Sequence, residues 1–363
     1  MSWQEELREN ITRADQLTSL LGLTQEEEAQ MARILDRYPM SITRYYLSLI
    51  QKDDPNDPIR RMCIPSLSET DLSGTFDTSG EKDNTVVEGM QHKYRETVMI
   101  LSTNRCAMYC RHCFRKRLVG LSDGEIAKQF DQIMDYIKAH PAINNVLISG
   151  GDALLNSNRI IGRYLEELSA LDQIDFIRFG SRLPVVFPQR ISEDPELLDL
   201  LERYNQKKQI MVITQFNHPN ELTEEARRAV RLLQERAIPV RNQSVLLRGV
   251  NDDPKVMGAL LQKLTRWGII PYYIFQCRPV TGVKNQFQVP FADGIRIVEE
   301  AKAMQNGQGK SIKYAFSHPT GKIEVLGFGE DGRMLFKYHE AKDPARCGRI
   351  FSLELAPGQC WLD

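Results

Sequence analysis

The stretch CAMYCRHCFRKR, residues 106–117, determines how the rest of the chain is interpreted. It contains Cys106, Cys110 and Cys113, and this C-x3-C-x2-C spacing brings three thiolates to one small surface, as iron–sulfur ligation requires. A closed cluster takes four cysteines, but the next cysteine along the chain is Cys277. Three ligands on a four-iron cluster leave one iron open, which is typical of a reactive metal site. The alternatives are a zinc knuckle, which would need a fourth ligand, and three unrelated thiols.

The overall composition narrows the class of protein. Of the 363 residues, 42% are hydrophobic, which suits a soluble protein with a substantial core. The formal net charge is −1, so the overall charge does not indicate nucleic acid or an anionic membrane as a partner. No apolar run approaches the roughly 20 residues of a membrane span, and the polar N-terminus does not resemble a signal peptide. Seven cysteines, three of them clustered, favour a reducing cytoplasm over a disulfide framework.

Strand and helix patterns alternate six times. The predicted strands begin near Thr97, Asn145, Asp175, Ile210, Ile238 and Ile269, and the predicted helices cover residues 126–139, 159–171, 195–204, 224–237, 254–267 and 292–304. Such alternation predicts a parallel sheet with right-handed crossovers. A doubly wound sheet and an incomplete barrel both fit six units, but polar motifs follow every strand, and a barrel brings all strand ends to one mouth. The predicted fold class is therefore α/β, a partial (βα)6 barrel of the TIM type.

This pattern divides the chain into three predicted segments. Residues 1–95 form an N-terminal helical and irregular extension, in which Thr24 and Glu27 make a capping box. We interpret this extension as a helical cap or as an arm between the subunits of a homo-oligomer. Residues 96–306 form the barrel core, and residues 307–363, with turns and short strands, form a C-terminal lid.

Polar residues near two predicted strand ends are candidate ligands. Gly150, Gly151 and Asp152 follow the second strand, where adjacent glycines let the backbone approach a ligand, although an ordinary tight turn fits equally well. Gln243 follows the fifth strand, where a polar end could also simply start a turn.

Basic side chains provide a second set of candidates. Lys93 beside Tyr94 could clamp a phosphate or could lie on a solvated face. Lys322 follows a glycine in a predicted turn, where a lysine is usually exposed, whereas a Schiff-base lysine must be held against a carbonyl cofactor. At least one arginine of the run 111–117 is expected to pair a carboxylate.

The cysteine stretch, with Tyr109 before the second cysteine, resembles the radical S-adenosylmethionine enzymes, and residues 109–117 resemble the lysine 2,3-aminomutase family within them. The likeness extends from about His92 to Lys322. In that superfamily the open iron binds S-adenosylmethionine, and one electron from the cluster cleaves the sulfonium to give a 5′-deoxyadenosyl radical. The resemblance implies a 4Fe-4S cluster, S-adenosylmethionine and pyridoxal phosphate as cofactors, and a flavodoxin- or ferredoxin-type electron donor.

The resemblance also implies roles for single residues, which divide by ligand. Contacts to S-adenosylmethionine would come from Gly150, Gly151, Asp152 and Gln243; contacts to the pyridoxal phosphate group from Lys93 and Tyr94; the Schiff base from Lys322; and the contact to the substrate α-carboxylate from Arg115.

Some positions depart from the family pattern. Gln215 stands where the family commonly has His, and Thr97 stands where it has a basic residue. The glycine run before the pyridoxal lysine is thinned to residues 318–321. Only Cys347 and Cys360 remain near the C-terminus, so we expect no zinc site of the kind found in the family's lysine enzymes.

The predicted substrate rests on two further departures. Lysine enzymes of the family hold the distal ammonium with two aspartates, at positions where this chain has Arg278 and Ala315. An arginine would repel an ammonium in a dry pocket but would pair with a distal carboxylate. We therefore predict a 2,3-aminomutase for an acidic substrate such as glutamate, unless Arg278 turns outward or binds phosphate. The alternatives are a lysine 2,3-aminomutase, a radical S-adenosylmethionine enzyme without pyridoxal phosphate, and a non-catalytic iron–sulfur protein.

Overall fold

A computed structural model describes residues 2–362, and the chain divides into two compact units. Unit 1 takes the described residues of Met1–Leu67, Asn84–Thr214 and Asn220–Arg241, and unit 2 takes those of Ser68–Asp83, Gln215–Pro219 and Asn242–Asp363. The sequence-based boundaries, 1–95, 96–306 and 307–363, follow the repeat of strands and helices rather than compactness, and they remain a prediction.

The strands of unit 1 follow one another in the sheet in chain order. They are β1 (Thr85–Val87), β2 (Met90–Tyr94), β3 (Thr97–Thr103), β4 (Asn145–Gly150), β5 (Phe176–Gly180) and β6 (Gln209–Thr214). The pairs β3–β4, β4–β5 and β5–β6 are parallel, whereas β1–β2 and β2–β3 are antiparallel. Ile148, Ile177 and Phe179 are fully buried, so the core of unit 1 includes the central strands.

The helices of unit 1 include five in the N-terminal segment. Their bounds are α1 (Trp3–Arg8), α2 (Ala14–Leu21), α3 (Gln25–Leu35), α4 (Arg44–Ser48), α5 (Pro58–Cys63), α6 (Phe130–Ala139), α7 (Asn158–Ser169), α8 (Leu183–Val186), α9 (Gln189–Ser192), α10 (Pro195–Asn205) and α11 (Glu224–Gln234). The predicted capping box of Thr24 and Glu27 is confirmed at the start of α3. Helix α6 begins later than predicted, because the Ala127 N–H donates to the Leu101 carbonyl at 2.8 Å instead of entering a helix.

Strand β7 (Val240–Leu246) passes from unit 1 into unit 2. The other elements of unit 2 are α12 (Pro254–Arg266), β8 (Ile270–Gln276), α13 (Lys284–Phe287), α14 (Phe291–Ala303), β9 (Lys313–His318), β10 (Gly321–Phe328), β11 (Met334–Ala341) and β12 (Ile350–Leu353). Strand β9 pairs in parallel with β8, and β9 to β12 pair antiparallel in chain order. The segment predicted as turns and short strands is thus an antiparallel sheet, with two register shifts between β10 and β11. Its role as a lid remains a prediction.

The predicted α/β fold class is confirmed. All six predicted strands are present as β3 to β8, and all six predicted helices are present as α6, α7, α10, α11, α12 and α14. The sequence did not predict the hairpin of β1 and β2, or the short helices α8 and α9, whose apolar residues are buried. Within residues 2–362, none of the helices combines the length and the hydrophobicity needed to cross a membrane.

Candidate functional site

The segment between β3 and α6, residues 104–129, carries the three clustered cysteines and is here called the cysteine loop. N-terminal residues of unit 1 hold it in place. The Asn10 side-chain amide donates to the Ala107 carbonyl at 2.7 Å, and the Arg111 N–H donates to the Met62 carbonyl at 2.9 Å. The N-terminal segment therefore does more than cap the core, since it fixes the backbone on which the cysteines lie.

The thiols of the cysteine loop lie near one another. The Cys113 N–H donates to the Cys110 carbonyl at 3.1 Å, and both residues line one small cavity. Burial raises the pKa of the Cys113 thiol to about 11, and the charge of Cys110 adds to the rise. Burial likewise raises the pKa of Cys106, with further contributions from Asp152, Cys113 and Cys110. The three sulfurs thus lie within electrostatic reach of one another.

These thiols fit the donor set of an iron–sulfur cluster. Within residues 2–362, no group of three or more His, Cys, Asp or Glu side chains is arranged to hold a single metal ion. A four-iron cluster has several irons, so its thiolate ligands need not converge on one point. Cys106, Cys110 and Cys113 supply three thiols from one loop, which suits such a cluster.

Arg182, directly after β5, contacts the middle cysteine. Its Nη1 donates to the Cys110 Sγ at 2.8 Å, and its Nη2 makes a short, buried ion pair with Glu221 Oε1. Tyr46 Oη donates to the same Glu221 oxygen at 2.6 Å. Burial alone would lower the pKa of Arg182, but Cys110, Tyr46 and Glu221 raise it well above its ordinary value. No sequence motif points to this set of residues; the only available signal is the position of Arg182 at a strand end.

Gly150 and Gly151 pack the end of β4 against the start of the cysteine loop. Gly150 has a φ of +108°, and a Cβ there would overlap the Thr103 carbonyl. A Cβ on Gly151 would overlap the Arg105 carbonyl, while its N–H donates to the Thr103 carbonyl at 2.5 Å. The glycines are therefore required by close backbone packing. Their predicted contact with S-adenosylmethionine remains a prediction.

Asp152 links the cysteine loop to Arg182. Its N–H donates to the Arg105 carbonyl at 2.8 Å, and its Oδ2 accepts the Arg182 N–H at 2.7 Å. Oδ1 accepts the Leu154 N–H at 3.2 Å. Burial raises the pKa of the Asp152 carboxyl to about 6. Its carboxyl group thus fixes local backbone, and its predicted role toward S-adenosylmethionine remains a prediction.

Arg115 is buried beside the same glycine turn. Its Nη1 lies 3.4 Å from both the Gly150 carbonyl and the Ser149 hydroxyl, and its Nη2 lies 2.9 Å from the Met99 sulfur. The structure thus brings Arg115 together with the predicted ligands at the end of β4. Its proposed contact with a substrate carboxylate is a prediction that these distances do not test.

The other basic residues of the run are held by the protein itself. Lys116 Nζ donates to the Arg111 carbonyl at 3.1 Å, and Arg117 pairs with Glu125 at 2.8 Å. His112 is buried, and burial together with the charges of Arg182 and Lys116 lowers its pKa well below the ordinary value. The contacts of Lys116 and Arg117 therefore stabilise the cysteine loop.

Lys93 and Tyr94 lie at the end of β2, and both are half-buried. The Lys93 Nζ is 5.7 Å from the centroid of the Tyr94 ring, so the cation contacts the aromatic face. The preceding His92 lies 3.0 Å from the Tyr136 hydroxyl through its Nδ1. The phosphate-binding role of Lys93 and Tyr94 remains a prediction.

In unit 2, Lys322 lies on β10 and not in a turn as predicted, because Pro319 and Thr320 already complete the turn. Glu340 on β11 is its cross-strand partner, and the Lys322 Nζ lies 2.7 Å from the Glu340 Oε2. The Nζ also lies 4.9 Å from the centroid of the Tyr273 ring. A partly exposed amine beside an aromatic ring fits a Schiff-base lysine, provided that the ion pair with Glu340 opens.

Gln243 reaches the same region of unit 2. Its Nε2 donates to the Tyr272 hydroxyl in a short hydrogen bond, and the rings of Tyr272 and Tyr273 lie 4.4 Å apart, centroid to centroid. Gln243 and Lys322 therefore contact neighbouring tyrosines. No sequence motif marks these tyrosines as functional, although the PYYIF run of the sixth predicted strand contains them.

Arg278 follows β8 in unit 2. Its Nη1 donates to the Ser79 Oγ at 2.8 Å, and Ser79 itself is buried. Ala315, the second position of the predicted departure, is fully buried on β9 opposite Phe275. The contact of Arg278 with substrate remains a prediction.

Comparison with known proteins adds an independent finding. Residues 100–259 match the family model described as the radical SAM superfamily, SAM being S-adenosylmethionine. The chain is 42% identical to the L-lysine 2,3-aminomutase of Acetoanaerobium sticklandii over 330 residues, which cover 90% of this chain and 76% of that enzyme. It is 41% identical to the L-lysine 2,3-aminomutase of Clostridium subterminale, with the same coverage of both chains. It is 36% identical to the glutamate 2,3-aminomutase of Clostridioides difficile over 307 residues, covering 84% and 71%.

Proposed function

The chain belongs to the lysine 2,3-aminomutase family of the radical S-adenosylmethionine superfamily, and we propose that it converts an α-amino acid to the corresponding β-amino acid. The observation that carries the proposal is that similarity to two kinds of 2,3-aminomutase extends over 84–90% of the chain. Members of this superfamily use a 4Fe-4S cluster and S-adenosylmethionine. We add pyridoxal phosphate as the third cofactor.

The proposed chemistry needs two sets of residues. Cys106, Cys110 and Cys113 would hold the cluster, and Lys322 would hold pyridoxal phosphate. When bound, the cluster with S-adenosylmethionine supplies one-electron initiation and pyridoxal phosphate supplies a π system, while the protein provides position and charge. The reaction exchanges the amino group of the α-carbon with a hydrogen of the β-carbon, so it consumes no net oxidant or reductant.

Residues near the end of β4 and on β2 would complete the ligand contacts. The residues proposed to contact S-adenosylmethionine are Gly150, Gly151, Asp152 and Gln243. Lys93 and Tyr94 would contact a phosphate, and Arg115 would bind the substrate α-carboxylate. Arg115 supports this role because it is a buried, permanently charged guanidinium with the planar geometry that pairs a carboxylate through two hydrogen bonds.

We propose an acidic amino acid such as glutamate as the substrate. Arg278 supplies a permanent positive charge where the family's lysine enzymes have an aspartate, and the half-buried guanidinium bonds to Ser79 at 2.8 Å. Ala315, at the other aspartate position, contributes no charge. A positive pocket attracts a distal carboxylate and repels a distal ammonium.

We propose the reducing cytoplasm as the setting, because the cluster thiolates must stay reduced. A flavodoxin- or ferredoxin-type protein would deliver the priming electron. The assembly proposed is a homo-oligomer, which sedimentation of the anaerobic holoenzyme would test.

The pyridoxal assignment is tested by covalent trapping. Borohydride reduction of the holoenzyme should fix pyridoxal phosphate on Lys322, and peptide mapping should lose the label in Lys322→Ala. Lys313→Ala is the matched control, since Lys313 pairs with Glu324 at 2.8 Å just as Lys322 pairs with Glu340. A label that maps to another lysine, or none at all, would favour a radical S-adenosylmethionine enzyme of another outcome.

The substrate assignment is tested by comparing the rates at which glutamate and lysine are converted. Anaerobic assays should show the wild type forming β-glutamate from glutamate faster than β-lysine from lysine. Arg278→Asp should reverse this preference, while Arg278→Gln should weaken glutamate turnover without creating lysine turnover. Faster conversion of lysine by the wild type would make the chain a lysine 2,3-aminomutase.

A further inference from the structure

We propose that Arg182 is a positioning residue for the iron–sulfur cluster, one that donates a hydrogen bond to the Cys110 sulfur and sets the reduction potential together with Glu221 and Tyr46. The inference rests on the proposed function in one respect, since it requires a cluster on Cys110. Neither the spacing of the cysteines nor the similarity to known enzymes assigns a role to these three residues.

The guanidinium of Arg182 is held from several sides. Nη1 reaches the Cys110 Sγ at 2.8 Å, and Nη2 pairs with Glu221. The Arg182 N–H is itself fixed by the Asp152 carboxylate at 2.7 Å. A side chain anchored through its backbone and through its guanidinium has little freedom to leave the sulfur. Arg182 therefore contacts Cys110 as part of a rigid arrangement, and not as an exposed arginine that happens to lie near a thiol.

Glu221 and Tyr46 are placed to control the charge that Arg182 presents. Glu221 is fully buried and accepts hydrogen bonds from Arg182 and from the Tyr46 hydroxyl. Tyr46 is also fully buried, on α4 of the N-terminal segment. Through Tyr46 the N-terminal segment thus helps to orient the residue that contacts the cysteine.

The physical effect on a cluster follows from its charge. Reduction adds an electron, so hydrogen bonds to the ligand sulfurs and nearby positive charge stabilise the reduced form, and outer residues tune metal sites in this way. Buried charges act strongly because the surrounding protein screens them poorly. Arg182 should therefore raise the reduction potential, and the negative charge of Glu221 should partly offset that rise.

The test is an anaerobic redox titration of the reconstituted holoenzyme without S-adenosylmethionine, followed by electron paramagnetic resonance of the reduced cluster. Arg182→Met should shift the reduction potential to more negative values. The substitution removes both the guanidinium N–H that donates to the Cys110 sulfur and the positive charge. Arg182→Lys should give a smaller negative shift, since it keeps the charge. Glu221→Gln should shift the potential in the opposite direction, because Arg182 is then less neutralised.

Arg190→Met provides the matched control. Arg190 is a fully buried arginine of unit 1 that pairs with Asp194 at 2.6 Å and donates to the Leu154 and Asn156 carbonyls. Its removal should destabilise the fold in a comparable way but leave the cluster potential unchanged. If Arg182 had a purely structural role, all these variants would affect the reduction potential of the cluster alike. They would not shift it in opposite directions.

The outcomes separate the inference from the function on which it rests. A wild-type chain that binds no cluster would overturn the proposed function, and this inference with it. A wild-type cluster whose potential is the same in Arg182→Lys and Glu221→Gln would overturn only the inference. If Arg182→Met fails to assemble a cluster, the other two variants still decide the question by the sign of their shifts.

Discussion

Unit 1 contains the ion pair of Arg182 with Glu221, and unit 2 contains the ion pair of Lys322 with Glu340. The two ion pairs differ in how far their side chains are buried. In unit 1 the side chains of Arg182 and Glu221 are 10% and 0% exposed. In unit 2 the side chains of Lys322 and Glu340 are 16% and 39% exposed. The first pair is closed off from water and is here called the closed pair. The second has a carboxylate that can turn to solvent and is here called the half-open pair.

The difference corresponds to the role that we propose for each cation. A guanidinium stays protonated in a protein, so Arg182 can act as a permanent charge beside a cysteine. An amine must lose its proton before it attacks a carbonyl cofactor, so the role proposed for Lys322 requires a partner that can release the amine. We infer that the closed pair suits electrostatic tuning and that the half-open pair suits covalent chemistry.

The largest effect should come from removing the sulfur that Arg182 contacts. Cys110→Ala should abolish cluster assembly and S-adenosylmethionine cleavage, because a four-iron cluster cannot be held stably by the two remaining cysteines. Iron and sulfide analysis, with 5′-deoxyadenosine released under reducing conditions, measures both. Cys347→Ala is the control, since Cys347 is exposed and should be dispensable for cleavage. Full activity in Cys110→Ala would end the cluster assignment.

The next largest effect is the contribution of the closed pair to the stability of the protein. Arg182→Met leaves the Glu221 carboxylate buried without its cation, and breaking a buried ion pair costs about 3–5 kcal/mol of unfolding free energy. Urea denaturation of the apoprotein measures this loss. The double variant Arg182→Met with Glu221→Gln should recover a large part of it, because the buried charge is removed too. Equal losses in the single and double variants would show that Arg182 contributes packing and not charge pairing.

A feature of the structure could be predicted from the sequence when its residues lie close together along the chain. The repeat of strands and helices and the cysteine spacing are read within short windows, and both were predictable. The ion pair of Arg182 with Glu221 joins residues 39 positions apart, and the hydrogen bond of Tyr46 to Glu221 joins residues 175 apart. No periodicity carries such contacts, since they arise only when the tertiary fold brings distant strand ends and the N-terminal segment together.

The pairing of Lys322 with Glu340 was missed for a related reason. The sequence indicated a turn at Gly321, but the register of β10 on β11 is set by burial of alternate residues such as Ile323 and Phe336. Lys322 alternates with the buried Ile323, but Glu340 is in phase with the buried Phe336 and Tyr338. A register shift between Lys322 and Ile323 places Glu340 opposite Lys322. A lysine that looks like a solvated turn residue in sequence is therefore a strand residue with a fixed partner.

The smallest effect, and the sharpest test of the half-open pair, is a change in the reactivity of Lys322. Glu340→Gln removes the carboxylate that favours the ammonium form, so more of the amine is neutral at any given pH. Exposed ion pairs typically contribute about 0.2–1 kcal/mol, so Lys322 should react faster with pyridoxal and borohydride, by up to about fivefold. The apoprotein is labelled between pH 7 and 9, and the Lys322 peptide is quantified by mass spectrometry.

The other charged groups near Lys322 define the control. His339 on β11 and the pair of Lys313 on β9 with Glu324 on β10 act in the same field, and burial together with the charge of Lys322 lowers the pKa of His339. The lowered pKa favours the neutral form of His339. Glu324→Gln should change the labelling of Lys322 much less than Glu340→Gln does, because Glu324 contacts Lys313 and not Lys322. If Glu340→Gln leaves labelling of Lys322 unchanged or slows it, the ion pair does not restrain the amine, and the contrast between the closed and the half-open pair fails.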